Sequence, residues 1–266
     1  MKSQQGFTLI EMAIVLVIIT ILIGGLAMPL SAQIEARRIA ETRKTMDEAR
    51  EALIGFTMSH SCTCAYNSLG TSGTLLAAPQ TTCSTTCPLT NPSSVSLTLQ
   101  HPYLPCPDTD NDGKENRTGS ACSTTNGLFP WVDLGTAAQD AWGNRLHYSL
   151  TLAYGDTSTG FSNSSPGDNQ VCNTSAGGCA LGTVASNVPV VLVSYGPNGW
   201  GARTVNNTDM AAPTSADELE NTNANNAYVS RTPSKSGSAS GEFDDLVTWI
   251  SSPLLISRVC PAGGCP

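Results

Sequence analysis

Charged side chains and histidines are scarce in this sequence of 266 residues. Asp, Glu, Lys and Arg make up only 13% of the chain, and the three histidines are His60, His101 and His147. They are scattered and near no obvious nucleophile, and the segment Gly237–Gly241 has alanine where a nucleophile elbow needs serine. No catalytic constellation is predicted. A chain poor in charge but rich in Gly, Ser, Thr and Asn favours an exported, loop-rich β-domain over a cytosolic enzyme.

Clusters of basic residues are missing from most of the chain. Acidic and basic residues balance between positions 35 and 51, so the excess acid behind the net charge of −8 lies after that segment. Binding to a phosphate backbone requires clustered Lys and Arg. Nucleic acid is therefore not predicted as a partner.

The spacings Cys-x-x-Cys and Cys-x-x-Cys-His are also missing, which argues against a zinc ribbon and a c-type haem. The 10 cysteines all follow residue 61, and an even, high number predicts disulfides in an oxidising compartment. Short loops favour the local pairs Cys106–Cys122, Cys172–Cys179 and Cys260–Cys265. The other four, Cys62, Cys64, Cys83 and Cys87, would then pair among themselves, although spacing leaves the connectivity open.

The first thirty residues carry the most specific pattern. A polar leader, Met1–Gly6, runs into Phe7-Thr-Leu-Ile-Glu11 and an apolar stretch to Leu30. As a helix, residues 7–30 would span about 36 Å, enough for a bilayer core of about 30 Å. A secretory signal peptide has a shorter apolar run. A plain membrane anchor explains the length but not Glu11, since a carboxylate there costs about 2.5–3.5 kcal/mol and requires a purpose.

The segment Gly6-Phe-Thr-Leu-Ile-Glu11 resembles the signal of type IV pilins and of the pseudopilins of type II secretion. The resemblance implies that a prepilin peptidase cleaves after Gly6, that Phe7 is N-methylated, and that Glu11 pairs with the terminal amine of a neighbouring subunit. It also implies a single-pass protein of the bacterial inner membrane, with its head in the periplasm until a filament assembles. The implied partners are further copies of the chain, other pilin-like subunits and the inner-membrane assembly platform.

Four segments are predicted: a leader at 1–6, a transmembrane and assembly helix at 7–30, its amphipathic continuation at 31–57, and a globular domain at 58–266. The continuation rests on an apolar stripe. The stripe consists of Ile34, Ile39, Met46, Leu53 and Phe56. The fold expected is a pilin-like α+β fold, with a long N-terminal helix and a disulfide-rich head built on an antiparallel β-sheet.

Within the head, two apolar or alternating runs predict strands, at 145–152 and 190–195. Residues 244–250 could form a last strand or a short helix. Three polar segments, at 60–96, 163–178 and 206–241, are expected to be mostly loop.

Two phrases in the head carry a second resemblance. Asp140-Ala-Trp-Gly-Asn144, followed by Tyr148, is similar to a phrase of the major pseudopilin of type II secretion. The turn at 193–199 and the later Asp244-Asp-Leu-Val-Thr-Trp249 resemble that family's final hairpin, but a long polar loop is inserted between them. The resemblance favours an enlarged pseudopilin. A minor type IV pilin serving adhesion, motility or DNA uptake, or a membrane-tethered binding protein, are the alternatives.

Calcium is the one cofactor predicted. The final hairpin of the major pseudopilin holds a calcium ion, and the resemblance places its ligands here at Asn198, Asp244 and Asp245. Asn198 stands where the family has aspartate, which lowers the ligand charge. The alternative is a solvated acidic turn.

A second calcium candidate is the acidic loop Asp108-Thr-Asp110-Asn-Asp112-Gly113. Alternate aspartates before a glycine begin a calcium loop, but Gly119 stands where an EF-hand needs glutamate. The alternative is a polar turn in which the aspartates bond to the local backbone.

Overall fold

The computed structural model describes residues 8–66, 73–76 and 99–260, with only the backbone described at 23–30, 61–66, 73–76 and 99–101. The predicted leader, the Gly6–Phe7 cleavage junction and three of the cysteines, Cys83, Cys87 and Cys265, lie outside these residues. So do the side chains of Cys62 and Cys64. The chain divides into two compact units, Met1–Glu41 and Thr42–Pro266.

A single long helix, α1, runs from Leu9 to Ser59 and enters both units. Over the residues that the structure describes, no helix is both long and apolar enough to cross a membrane. The transmembrane helix expected at 7–30 stays a prediction.

The second unit holds the strands and the shorter helices. In chain order the strands are β1 Ser61–Tyr66, β2 Gly73–Leu76, β3 Leu99–Pro102, β4 Arg117–Thr118, β5 Ala121–Cys122, β6 Asn126–Leu128, β7 His147–Leu150, β8 Asn169–Cys172, β9 Thr183–Val188, β10 Val190–Ser194, β11 Ala227–Val229 and β12 Leu246–Ile250. The helices are α2 Trp131–Leu134, α3 Leu152–Gly155, α4 Ala216–Thr222 and α5 Ser252–Val259.

The main sheet is antiparallel and has the order β12-β10-β7-β6. Strand β10 lies between β12 and β7 and is buried along its whole length. Val190 pairs with Ile250 on one side and with Leu150 on the other. A second sheet, β11-β8-β9, contains one parallel pair, β8 with β11, and two smaller sheets have the orders β2-β1-β3 and β4-β5. The predicted α+β architecture is confirmed.

The C-terminal part of α1 contributes to the core of the second unit. Met46, Leu53 and Phe56 of the predicted stripe are buried there. Thr42 is also buried, and its Oγ1 accepts a hydrogen bond from the Ala141 backbone N–H at 3.1 Å. The apolar periodicity thus predicts the packed face within this unit correctly. Ile34 falls in the first unit and is 46% exposed.

The predicted strands at 145–152 and 190–195 are confirmed as β7 and β10, and residues 244–250 supply β12 rather than a helix. The three polar segments contain more strand and helix than their composition predicts. Strands β1 and β2 lie within 60–96, β8 within 163–178, and α4 and β11 within 206–241. These elements are short and pair with distant parts of the chain, so local composition indicates them poorly.

Two of the predicted local disulfides form. Cys106 bonds to Cys122, and Cys172 bonds to Cys179. Cys260 is also disulfide-bonded. In both local pairs the sequence separation is short, 16 and 7 residues. The pairing predicted among Cys62, Cys64, Cys83 and Cys87 lies outside the described side chains.

Candidate functional site

At the start of α1, Glu11 and Thr8 form a reciprocal pair. The Glu11 carboxylate accepts hydrogen bonds from the Thr8 backbone N–H and hydroxyl, both at 2.8 Å, and the Glu11 N–H donates to Thr8 Oγ1 at 3.4 Å. This is a capping box, in which a glutamate three residues into a helix satisfies the N-cap residue. Glu11 therefore has a local structural role in addition to the assembly role that the resemblance implies.

The first turns of α1 present large apolar side chains to the surface of their own unit. Among those more than half exposed are Leu9, Ile10, Met12, Ile14, Leu16, Val17, Ile18, Ile21 and Leu22. A contiguous exposed apolar surface of this kind marks contact with another protein or with a membrane.

In the second unit, backbone N–H groups of the acidic loop that begins at Asp108 donate to the carboxylate of Asp108 itself. Asp108 Oδ1 accepts from the N–H groups of Asp110 at 3.0 Å and Asn111 at 2.8 Å, and Oδ2 accepts from Gly113 N–H at 2.8 Å. The carboxylates of Asp108, Asp110 and Asp112 offer oxygens within 4.8 Å of one another. Asp108 is fully buried and has both oxygens bonded, whereas Asp110 and Asp112 are exposed.

The same loop is tied down at both ends. The Cys106–Cys122 disulfide encloses it, and Glu115 accepts from the Cys106 N–H at 2.8 Å. Gly113 has a φ of +83°, and a Cβ there would lie 2.5 Å from the Trp131 ring, so only glycine fits. These protein contacts by themselves fix the conformation of the loop, as expected for a structural turn.

A second acidic cluster lies where the turn after β10 meets the start of β12. Asp244 and Asp245 immediately precede β12, and Asp244 Oδ2 accepts from the Asn198 backbone N–H at 3.2 Å. The third member is Glu218 of α4, which sequence reasoning missed. Glu218, Asp244 and Asp245 offer carboxylate oxygens that all lie within 4.8 Å of one another.

Two oxygens of this hairpin cluster are buried without a hydrogen-bond partner among the described residues. They are Oε2 of Glu218 and Oδ1 of Asp245, and the two residues are only 1% and 4% exposed. Neither residue forms an ion pair with Lys or Arg in the described part of the chain. Arg231, which also influences Glu218 electrostatically, is bonded to Asp217 at 2.6 Å.

Burial raises the pKa of both carboxyls. The pKa of Glu218 is raised mainly by loss of solvent, and that of Asp245 is raised well above its ordinary value by burial and by the charges of Glu218 and Asp244. Two full negative charges 4.8 Å apart repel by about 3.5 kcal/mol at an effective dielectric constant of 20. The cluster therefore favours either protonation or a bound cation.

The donor set of the hairpin cluster fits calcium, a hard cation that takes six to eight oxygen ligands from carboxylates and carbonyls. Glu218 Oε2 and Asp245 Oδ1 are hard donors that no described residue of the chain hydrogen-bonds. Asn198, the third ligand predicted from the sequence, contacts the cluster differently. Its Nδ2 donates to Glu218 Oε1 at 3.2 Å, and its Oδ1 accepts from the Trp200 N–H at 2.9 Å.

Comparison with known protein families matches residues 1–27 to the prokaryotic N-terminal methylation motif. The chain carries a type IV pilin-like prepilin signal. No curated protein and no solved structure matches the chain. The prepilin signal includes Gly6, Phe7 and Glu11, the residues to which the sequence resemblance assigns cleavage, methylation and assembly.

Beyond the prepilin signal, the phrase around Asp140 joins two parts of the head. Asp140 Oδ1 accepts from the N–H groups of Trp142 at 3.0 Å and Asn144 at 2.9 Å, and Oδ2 accepts from Ser194 Oγ of β10 at 2.7 Å. Tyr148 is fully buried and donates to the Pro105 carbonyl at 2.9 Å. These residues hold the loop before β7 against the main sheet, which is a structural role.

Two of the histidines have described side chains, and both pack against aromatic rings. His60 stacks on Phe56 with ring centroids 3.9 Å apart. His147 lies between Tyr195 and Tyr228, at centroid distances of 6.2 and 6.1 Å, and burial lowers its pKa to about 4. His147 is therefore neutral at pH 7 and packs as part of the core.

Proposed function

We propose that this protein is a structural subunit of a type IV pilus-like filament, most similar to a pseudopilin of a type II secretion-type machine, and not an enzyme. The observation that carries the proposal is the prokaryotic N-terminal methylation motif over residues 1–27. Cleavage after Gly6 by a prepilin peptidase would leave Phe7 as the methylated N-terminus.

The exposed apolar face of α1 supports assembly through this helix. In the proposed filament, helices of neighbouring subunits cover the side chains from Leu9 to Leu22, after delivery by an inner-membrane assembly platform. Glu11 pairs with the positive amine of a neighbour's Phe7. Because an unpaired charge in an apolar environment is costly, this pair sets the register between subunits.

The capping box refines this mechanism. In the single chain the Glu11 carboxylate accepts two hydrogen bonds from Thr8. On assembly, the ammonium group of a neighbouring subunit would bind the Glu11 carboxylate beside Thr8 or in its place. Glu11 therefore has a partner both before and after assembly. The Glu11 carboxylate of the isolated subunit is therefore already hydrogen-bonded.

The head supports the pseudopilin assignment over a minor type IV pilin. The Asp140 phrase packs against β10, and the turn after β10 meets Asp244 and Asp245 as a closing hairpin. Both arrangements follow the order of the major pseudopilin phrases that the sequence resembles. The added disulfides and the insertion between residues 199 and 244 make this an enlarged relative.

We further propose that the hairpin cluster binds calcium. Asp244 and Asp245 would be ligands, as the resemblance implies, and bound calcium would remove the repulsion between the buried carboxylates. The ion would then order the outer end of the head and favour assembly. The Asp108 loop is the weaker candidate, since Asp108 has both oxygens bonded to backbone N–H groups.

The experiment that tests the filament proposal separates the charge of Glu11 from its capping role. Glutamine at the third helical position keeps a capping box, so Glu11→Gln preserves the helix start but removes the charge. Glu11→Gln and Glu11→Ala are both expected to abolish filament incorporation, whereas Thr8→Ala, which retains the charge, is expected to incorporate. Incorporation is measured in sheared or purified filaments, beside the intact mass and N-terminal sequence of each membrane-extracted protein.

A mature protein that starts at methylated Phe7, together with loss of assembly in Glu11→Gln, is the expected result. Assembly of Glu11→Gln at the wild-type level would refute the charge-pair mechanism. A start at Met1 with no dependence on Glu11 would refute the filament proposal and favour the membrane-tethered binding protein.

A further inference from the structure

The insertion between β10 and β12 reaches the closing hairpin through α4. Two residues fix this helix in place. Asp217 forms a buried ion pair with Arg231 at 2.6 Å, and Asn221 donates from Nδ2 to Asp245 Oδ2 at 2.8 Å. Asn221 also accepts from the Val229 N–H at 2.7 Å. Glu218 lies between these two anchors in the helix, so its backbone position is determined on both sides.

The Glu218 carboxylate is oriented into the hairpin cluster. Its Oε1 accepts from the Asp244 N–H at 3.1 Å and from Asn198 Nδ2 at 3.2 Å. Its Oε2 is buried and has no hydrogen-bond partner among the described residues. One oxygen is thus held by two donors while the other remains available.

Asn198 is poorly arranged to be a calcium ligand itself. Its amide oxygen accepts from the Trp200 N–H, and its amide nitrogen, which cannot bind a cation, donates to Glu218. The side chain that the hairpin resemblance designates as a ligand therefore orients Glu218 instead. The carboxylate that the cluster lacks at Asn198 is present at Glu218.

We infer that Glu218, carried by the insertion, is the third carboxylate ligand of the hairpin calcium ion and supplies the charge that Asn198 does not. The inference rests on the calcium site proposed above. Calcium affinity depends on the number of charged oxygen ligands, so a third carboxylate offsets the weakening expected from Asn198. The insertion then completes the metal site in addition to enlarging the head.

The test is calcium titration of the full-length chain in detergent, by calorimetry and by thermal melting, after removal of metal with a chelator. Glu218→Gln is expected to weaken calcium binding at least about tenfold. The variant should still fold, because Gln Oε1 can accept from Asn198 and Asp244, and its amide can donate to the neighbouring carboxylates. The matched control is Glu220→Gln on the same helix, whose carboxylate instead accepts from Asn223 and Asn225.

A second pair of variants tests the charge replacement. Asn198→Asp combined with Glu218→Gln is expected to recover part of the lost affinity. Glu218→Asp keeps the charge but shortens the side chain by one methylene. If Glu218 is a direct ligand, this variant binds calcium more weakly, whereas if it acts only as a remote charge, the affinity is unchanged. The melting temperature of each variant in chelator reports whether it folds.

The outcomes separate the two proposals. If the wild-type chain does not bind calcium, the calcium site proposed for the hairpin is wrong. If the wild type binds and both Glu218→Gln and Glu218→Asp bind equally well, the site stands and the role of Glu218 is overturned. Weakened binding in both variants, with Glu220→Gln unchanged, supports the inference.

Discussion

The two acidic clusters of the head offer the same number of carboxylates but opposite surroundings. In the Asp108 loop, the one buried carboxylate accepts three backbone N–H groups. In the hairpin cluster, Glu218 and Asp245 each keep a buried oxygen without a partner among the described residues. The comparison separates a carboxylate that its own backbone already satisfies from a cluster whose unpartnered oxygens suit the calcium ion we propose there, a difference that the spacing of aspartates in the sequence does not show.

Removing the buried carboxylate of the Asp108 loop tests whether this residue is structural. Asp108→Ala is expected to lower the free energy of unfolding by about 3 kcal/mol, since three backbone N–H groups lose a charged acceptor. The loss should be the same with calcium and with chelator, because the loop uses Asp108 structurally. Denaturant unfolding of the full-length chain measures it.

Asp112→Asn is the matched control for that variant, since its carboxylate is exposed and accepts from Lys114 N–H within the loop. A change within about 0.5 kcal/mol is expected. A calcium-dependent cost for Asp108→Ala would instead place the metal in this loop.

The second prediction compares the two clusters as calcium sites. A ligand at one hundred times its dissociation constant stabilises a protein by about 2.7 kcal/mol, which raises Tm by roughly 5–10 °C for a head of this size. The double variant Asp110→Asn, Asp112→Asn is expected to keep the whole shift in a thermal melt, and Asp245→Asn to lose it. The reverse pattern would assign calcium to the Asp108 loop.

The third and smallest effect is a dependence of the unfolding free energy on pH when calcium has been removed with a chelator. The pKa values of Glu218 and Asp245 are raised in the folded state, so above pH 4 these two carboxyls bind more protons in the folded chain than in the unfolded chain. The contribution of these two carboxyls to stability therefore falls as pH rises from about 4 through the raised pKa values, by at most about 1.4 kcal/mol per pH unit for each group. His147, whose pKa burial lowers to about 4, contributes the opposite trend, with calcium and with chelator alike.

Unfolding free energies measured from pH 4 to pH 8, with calcium and with chelator, isolate the contribution of the hairpin cluster. The pKa of Asp108 is also raised by burial, but that effect is expected in both series. The gap between the two curves should widen with rising pH, and Asp245→Asn should narrow it. A constant gap across this range would contradict a cation held by ionised carboxylates.

Much of the molecule could be predicted where the signal is local. The prepilin signal is a continuous motif, and the family comparison confirms it at residues 1–27. The run Val190-Val-Leu-Val predicts the strand β10 because β-branched residues favour strands. Cys106–Cys122 and Cys172–Cys179 could be paired because each closes a short loop.

The composition of the hairpin cluster could not be predicted in this way. Glu218 lies on a helix of seven residues within a polar insertion, 26 residues before Asp244. Nothing in its neighbourhood marks it as different from Glu220 two residues later. Its position depends on anchors from other elements, the ion pair of Asp217 with Arg231 and the bond from Asn221 to Asp245.

The prepilin signal, the long helix, the main strands and two of the local disulfides could thus be predicted, because each depends on residues close together in the chain. Which acidic residues meet in the hairpin cluster depends on the tertiary fold, which brings Glu218 of α4 against Asp244 and Asp245. Asp108 is satisfied by backbone N–H groups, whereas Glu218 and Asp245 each keep one buried oxygen without a partner in the part of the chain that the structure describes. The donors to Asp108 are local, whereas Glu218 and Asp245 meet donors and other carboxylates from segments 20 or more residues away, which no local pattern encodes.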